Sequence, residues 1–466
     1  MPKTEMKMTR DQNNSIAPSS WVLLGLFAAF VALLGGSSRP DAAQIVLLRP
    51  MAALYLIPIF IFLGRQDLSA IRAPLMFIGA LGLWMLLQLI PLPAGLWQAL
   101  PGREPVAEIG AQIGLADIWR PISLVPTRTL NASASLIVPL AALLVLAAAG
   151  ASRRAILMVL AALGSLNALL GILQVIGGSS QALFFYEITN FGSAVGFFAN
   201  HNHSAVFSSL TLVIIAFLAT QPEFRFDRAW QKTLLAALFL LVLLAALVGL
   251  SRAGLLTTVL ALGASALLFR IGWAKGHRRR GQGGGQPSIK PVWALAVLAA
   301  SIAGVIAIFL MFDRIPALNR VTESGTFDDL RWSLLPILGE MIAAYWLTGA
   351  GFGSFEEVYH IHEPASLMLP SYVNQAHNDW AQLLIEGGVP ALAILAIFTV
   401  WVGRGILAMW RRNSSLARPV FWLTVAAIIV FASLADYPLR TPLFQMAAIW
   451  LVGLFAIDRR NPAISG

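Results

Sequence analysis

Twelve long apolar runs constrain this chain more than anything else, at about 21–38, 44–64, 73–92, 132–150, 155–177, 203–220, 232–250, 254–272, 293–312, 379–402, 419–436 and 441–457. Each is close to the roughly 20 residues an α-helix needs to cross the hydrocarbon core, where every backbone polar group must be satisfied within the segment. The expected fold class is all-α, a polytopic membrane helical bundle of about 12 transmembrane helices, with a large outer loop containing short helices. Composition agrees: 12% of the 466 residues are charged, against about 25% in soluble domains. The chain has no cysteine, which excludes disulfides, Cys-ligated zinc, iron–sulfur clusters and thiol catalysis.

The first run follows a tail carrying Lys3, Lys7 and Arg10, the charge pattern of a signal peptide. No convincing small-residue cleavage site follows before Arg39 and Pro40, so the run reads as a retained signal anchor. With both termini cytoplasmic, 22 of the 32 basic residues fall inside, but of the acidic residues only Glu5, Asp11, Asp67, Glu223, Asp227 and Asp458 do. That asymmetry is the positive-inside rule, and it accounts for the net charge of +10 without a nucleic-acid partner. Residues 1–20 and 458–466 are then cytoplasmic tails flanking a bundle at 21–457 with a cytoplasmic linker at about 273–292. The run GHRRRGQGGGQPSIK at 276–290 reads as a flexible linker or a contact for anionic lipid.

Two outer segments are too long for turns. The first, about 93–131, alternates Trp97, Trp119, Leu and Ile with polar residues, the pattern of short helices lying at the interface as a surface cap. The second, about 313–378, holds Arg314, Arg320, Arg331, His360, His362 and His377, and its stretch 328–347 has the spacing of an amphipathic helix. GAGFGSF at 349–355 lacks a preceding strand and so is no nucleotide loop; it reads as a tight turn returning the chain toward the membrane.

Within this frame, a few residues carry chemistry. Arg252, in GLSRAG at 249–254, stands at the outer end of two apolar runs, where positive charge is otherwise sparse. Two readings stand for it: an anion site, or an arginine reaching headgroup phosphates. His377 opens AHNDWAQLLIEGG at 376–388, at the start of the tenth run, where a histidine can serve as a general base or bond a loop carbonyl. Asp379 is expected to cap that helix, and Glu386 precedes Gly387 and Gly388, where backbones can approach closely. The pairs His201 with His203 and His360 with His362 have an i, i+2 spacing that could ligate metal on a strand but splays apart on a helix. Hydrogen-bonding roles are preferred for them, with no metal and no cofactor.

Taken in order, FFANHNHSA at 197–205, SRAG, YWLTGAGFGSF, the large outer loop and HNDWAQLLIEGG resemble the O-antigen ligase family, which also includes O-antigen and exopolysaccharide polymerases. The resemblance spans about 90–460. It implies a multi-pass glycosyltransferase of the bacterial inner membrane, metal-independent, with an active site facing the periplasm and periplasmic loops at about 93–131 and 313–378. The donor it implies is an undecaprenyl-pyrophosphate-linked glycan, and the acceptor lipid A–core or a second lipid-linked glycan. His377 matches the catalytic histidine, and Arg252 the arginine associated with pyrophosphate, with Arg320 and Arg331 matching loop arginines and Asn378, His203 and Asn202 in support. Where the ligase pattern has Gly, Thr or Tyr, this chain has Ala391, which leaves a polymerase as the alternative to a ligase. A solute transporter is the alternative of another class, disfavoured by the lack of charge at mid-membrane depth.

Overall fold

The computed structural model describes residues 18–62, 65–150, 152–178, 181–221, 224, 226, 228–249, 251–280, 326–367, 373–412 and 415–460. Within them the helices in chain order are α1 (Pro18–Leu34), α2 (Ile45–Phe62), α3 (Arg65–Ala70), α4 (Arg72–Leu87), α5 (Ala94–Gln98), α6 (Glu104–Gln112), α7 (Pro126–Ser135), α8 (Ile137–Ala148) and α9 (Arg153–Gly177). There follow α10 (His201–Thr220), α11 (Ala229–Val248), α12 (Arg252–Arg280), α13 (Thr326–Tyr345), α14 (Phe355–His362), α15 (Asp379–Arg412), α16 (Ala417–Ala435) and α17 (Pro442–Arg460). The protein is an all-α polytopic membrane bundle. Among the described residues, eight helical stretches are long and apolar enough to cross a membrane, counting Pro126–Ala148 as one, and α1, α2 and α4 are shorter apolar helices. Eleven of the expected runs thus coincide with helices, while the run 293–312 lies outside the described residues.

The central helix is α10, with 89% of its apolar window buried, against 28% for α15, whose flank is left to lipid. It packs against α9, α11, α12 and α16. Helix association in lipid relies on close backbone approach and shared hydrogen bonds rather than on hydrophobic burial. Both devices join α10 to α12. Ser209 Oγ lies 3.0 Å from the hydroxyls of Thr257 and Thr258, and a Cβ on Gly254 would come within 2.4 Å of the Ala205 Cβ.

The expected cap is present, with α5 and α6 and a short antiparallel ladder pairing Pro91 with Pro121 and Leu92 with Arg120. It is nailed down by Arg103, which is fully buried and donates to the carbonyls of Ile122 (2.7 Å) and Gly349 (2.9 Å) beneath the rings of Trp97 and Tyr345. Burial pushes this guanidinium down to about 10. The helix expected at 328–347 is α13, whose Leu334, Ile337, Leu338 and Met341 form a satellite core with Phe355, Val358 and Tyr359 of α14 and with Val373 and Ala376. At the opposite end of the bundle, Asp458 is buried between Arg153, to which it is ion-paired, and the Trp422 indole N–H at 3.0 Å.

Candidate active site

One end of the bundle collects the starts of α10, α12, α15 and α17 and the finish of α16. Polar side chains there cannot be hydrated by lipid, so they are compelled to satisfy one another. Their focus is Asp436, which ends α16 in extended conformation and is fully buried. Its Oδ2 accepts from Asn202 Nδ2 at 2.7 Å, and its Oδ1 from the Tyr437 backbone N–H at 3.0 Å. Two imidazoles face Oδ1: His203 Nε2 at 3.8 Å and His377 Nδ1 at 3.5 Å. The Tyr437 ring lies edge-on to both, with centroids 5.2 Å from His203 and 5.0 Å from His377. Burial alone would raise the Asp436 carboxyl, yet the neighbouring imidazoles of His203 and His377 outweigh it and hold it well below the ordinary carboxylate range.

His377 departs from ordinary backbone geometry: with φ at 49° it is the one non-glycine residue of positive φ among those described. Such a conformation costs about 1–3 kcal/mol and persists only where the surroundings over-determine it. Here they do. Gln382 Oε1 takes the Ala376 N–H at 3.0 Å on one side, and Asn378 Oδ1 takes the N–H groups of Trp380 and Ala381 at 3.1 Å on the other. Nδ1 is enclosed, while 24% of the side chain is exposed.

The helix cap is therefore Asn378, and the expectation that Asp379 caps α15 is corrected. Asp379 instead turns into the bundle, where its Oδ2 accepts from Ser433 Oγ at 3.0 Å and its Oδ1 meets Arg440 Nε at 3.5 Å. Arg440 also donates from Nη2 to Glu386 Oε2 at 3.0 Å, so one guanidinium bridges two buried carboxylates on the same face of α15. Gln382 completes the set by donating to Glu386 Oε1 at 2.9 Å.

The sequence-selected residues fare differently. His377, His203, Asn202 and Asn378 are brought together around Asp436 and the start of α15. Arg252 opens α12, where the Ser251 hydroxyl accepts the Gly254 N–H at 2.9 Å and Gly254 packs on Ala205, two residues beyond His203. The backbone of Arg331 belongs to α13, and Arg320 lies outside the described residues. The two histidine pairs lie on helices and their rings splay: His201 bonds Asn190 (2.9 Å) while His203 bonds Thr441 (2.9 Å), and His360 bonds Glu363 (3.1 Å) while His362 bonds Tyr345 (3.1 Å). Asp436, Tyr437 and Arg440 were missed. The signal for them was two opposite charges in the short link ADYPLRT between the last apolar runs.

The architecture and this end-on cluster define a membrane protein with a histidine–carboxylate site at one face of a helical bundle. Residues 236–396, from α11 to the first turns of α15 beyond Gly388, match the family model described as O-Antigen ligase. The matched stretch includes Arg252, Arg331 and His377 and stops short of Asp436 and Arg440. A search of the curated proteins finds no match. The family match supports, in general terms, ligase- or polymerase-type glycan transfer in a membrane with lipid-linked glycans as substrates.

Proposed function

We propose that the protein transfers a glycan from undecaprenyl pyrophosphate to an acceptor hydroxyl at the periplasmic face of the bacterial inner membrane, acting as an O-antigen ligase on lipid A–core. The observation that carries this reading is His377, locked at positive φ with Nδ1 turned to a buried carboxylate. A carboxylate behind one ring nitrogen fixes the tautomer and leaves the other nitrogen to take a proton. In the reaction the acceptor oxygen bonds to the anomeric carbon as its proton passes to His377 Nε2. The bond from that carbon to the pyrophosphate oxygen breaks, and undecaprenyl pyrophosphate departs with the electron pair. The activated donor supplies the driving force, so no cofactor is called for.

Charge on the leaving group needs guanidiniums. Arg440 is already bound to Asp379 and Glu386, and that work is assigned to Arg252, Arg320 and Arg331, the arginines the family resemblance singles out. The test is His377→Ala in the full chain: transfer is abolished while insertion and binding of the lipid-linked donor persist. Normal transfer by that variant would remove His377 as the base. Deletion of the gene followed by gel analysis of surface polysaccharide separates the two acceptors. Loss of capped lipopolysaccharide marks a ligase, and a ladder reduced to single repeats marks a polymerase.

A further inference from the structure

Pro390 lies inside α15, and a proline has no N–H to give the carbonyl four residues earlier, that of Glu386. Just before it, Gly388 leaves helical conformation altogether, at φ 60° and ψ −159°. Four backbone groups beside this break are taken up by other segments. Glu386 O accepts from Gly351 N at 3.0 Å and from Gln88 Nε2 at 2.9 Å, and Ile385 O accepts from Ala350 N at 2.8 Å. Gly387 O accepts from the Trp84 indole at 2.7 Å, and Val389 N donates to Trp346 O at 2.8 Å. The fully buried Gln88 does more, since the same amide donates to Thr348 O at 2.9 Å and accepts from Phe352 N at 3.2 Å. The glycines make room: a Cβ on Gly349 would stand 2.2 Å from Glu386 O, and one on Gly388 2.6 Å from Gly349 N.

The direction of Asp379–Gly387 is consequently set by α4 and the glycine turn rather than by the lower part of α15. This half-helix bears Asp379, Gln382 and Glu386, which grip Arg440 and the backbone beside His377. From this arrangement we infer that Gln88 and Pro390 are positioning residues, which aim the half-helix so that His377 meets Asp436. Neither touches the reacting groups. Gln88 acts by donating where the helix cannot, and Pro390 by withholding the donor that would let the helix run straight. The catalytic consequence rests on His377 being the base; the orientation of the half-helix does not.

Because the chain lacks cysteine, introduced pairs are unambiguous. Spin labels on cysteines placed at Leu384 and Leu434 report the half-helix against α16 in the full-length protein. Pro390→Ala restores an N–H at position 390 and removes no contact of the site. Its expected signature is a shifted label distance, thermal stability no lower than the parent's, and kcat down by about a hundredfold with donor KM unchanged, the cost of a misplacement of about 1 Å. Gln88→Leu is expected to shift the same distance and lower kcat likewise. Parental distances in the Pro390→Ala protein would overturn the inference whatever its turnover. His377→Ala judges the base separately: transfer retained there sinks the base while a shifted distance in the Pro390 variant still upholds the positioning of the half-helix.

Discussion

Replacing Arg440 by Gln tests the energetic centre of the site. Its guanidinium stands 3.0 Å from Glu386 and 3.5 Å from Asp379, carboxylates whose side chains are 0% and 7% exposed. Removing one partner of a buried ion pair costs about 3–5 kcal/mol, because the remaining charge is left uncompensated. Arg440 is itself 23% exposed and the 3.5 Å contact is loose, so the lower end, about 3 kcal/mol, is the expected loss. Arg440→Lys keeps the charge but cannot fork across two acceptors, and it should lose about half as much. The assay is reversible unfolding of the detergent-solubilised protein, with Glu386→Gln and the double variant completing a cycle. In Glu386→Gln one buried carboxylate is gone, so adding Arg440→Gln should cost less than it does in the parent. A loss under about 1 kcal/mol for Arg440→Gln, the range of an exposed pair, would refute the reasoning.

Asp436→Asn should leave the protein folded near neutral pH but lower transfer by at least about a hundredfold, since the amide no longer holds His377 in the tautomer a base needs. The same variant has a pH signature: a carboxyl held below its ordinary value of 3.8 stabilises the fold fully above about pH 4 and loses that contribution as pH falls toward the depressed value. Acid unfolding of the parent should therefore show a limb that the Asn variant lacks. Gly254→Ala forces a methyl to within 2.4 Å of the Ala205 Cβ, and overpacking of about 1–3 kcal/mol is expected in the same unfolding assay. Arg103→Met strands the carbonyls of Ile122 and Gly349, so limited proteolysis should cut the cap between residues 94 and 120 faster than in the parent.

How much of this was legible follows from what each feature depends on. The apolar runs were readable because a bilayer dictates their length locally, and residues 44–64 or 203–220 need no partner to declare themselves. His377 was readable for a related reason: a histidine beside the polar start of an apolar run stands out against its own neighbours. The cap of α15 was misassigned by one position, because Asn378 and Asp379 both favour helix starts and only the demand of Ser433 and Arg440 draws Asp379 away. Asp436 was harder, since it closes the run 419–436 and looks like the end of a span. Its meaning comes from Asn202 and His377, 234 and 59 residues away in the chain.

Gln88 marks the limit of such reading. An amide at the end of an apolar run has no local distinction, and its acceptors at Thr348 and Glu386 are 260 and 298 residues distant. Yet half of that relation was open to inspection. A proline four residues after Glu386 dictates an orphaned carbonyl, and a carbonyl in a membrane bundle cannot remain orphaned. The sequence thus states the debt at 386 without naming the creditor. Only the folded chain does so, by bringing the glycine turn at 349–353 and the end of α4 against the break. At Pro390 the foreign donors gather directly behind the residues that hold His377.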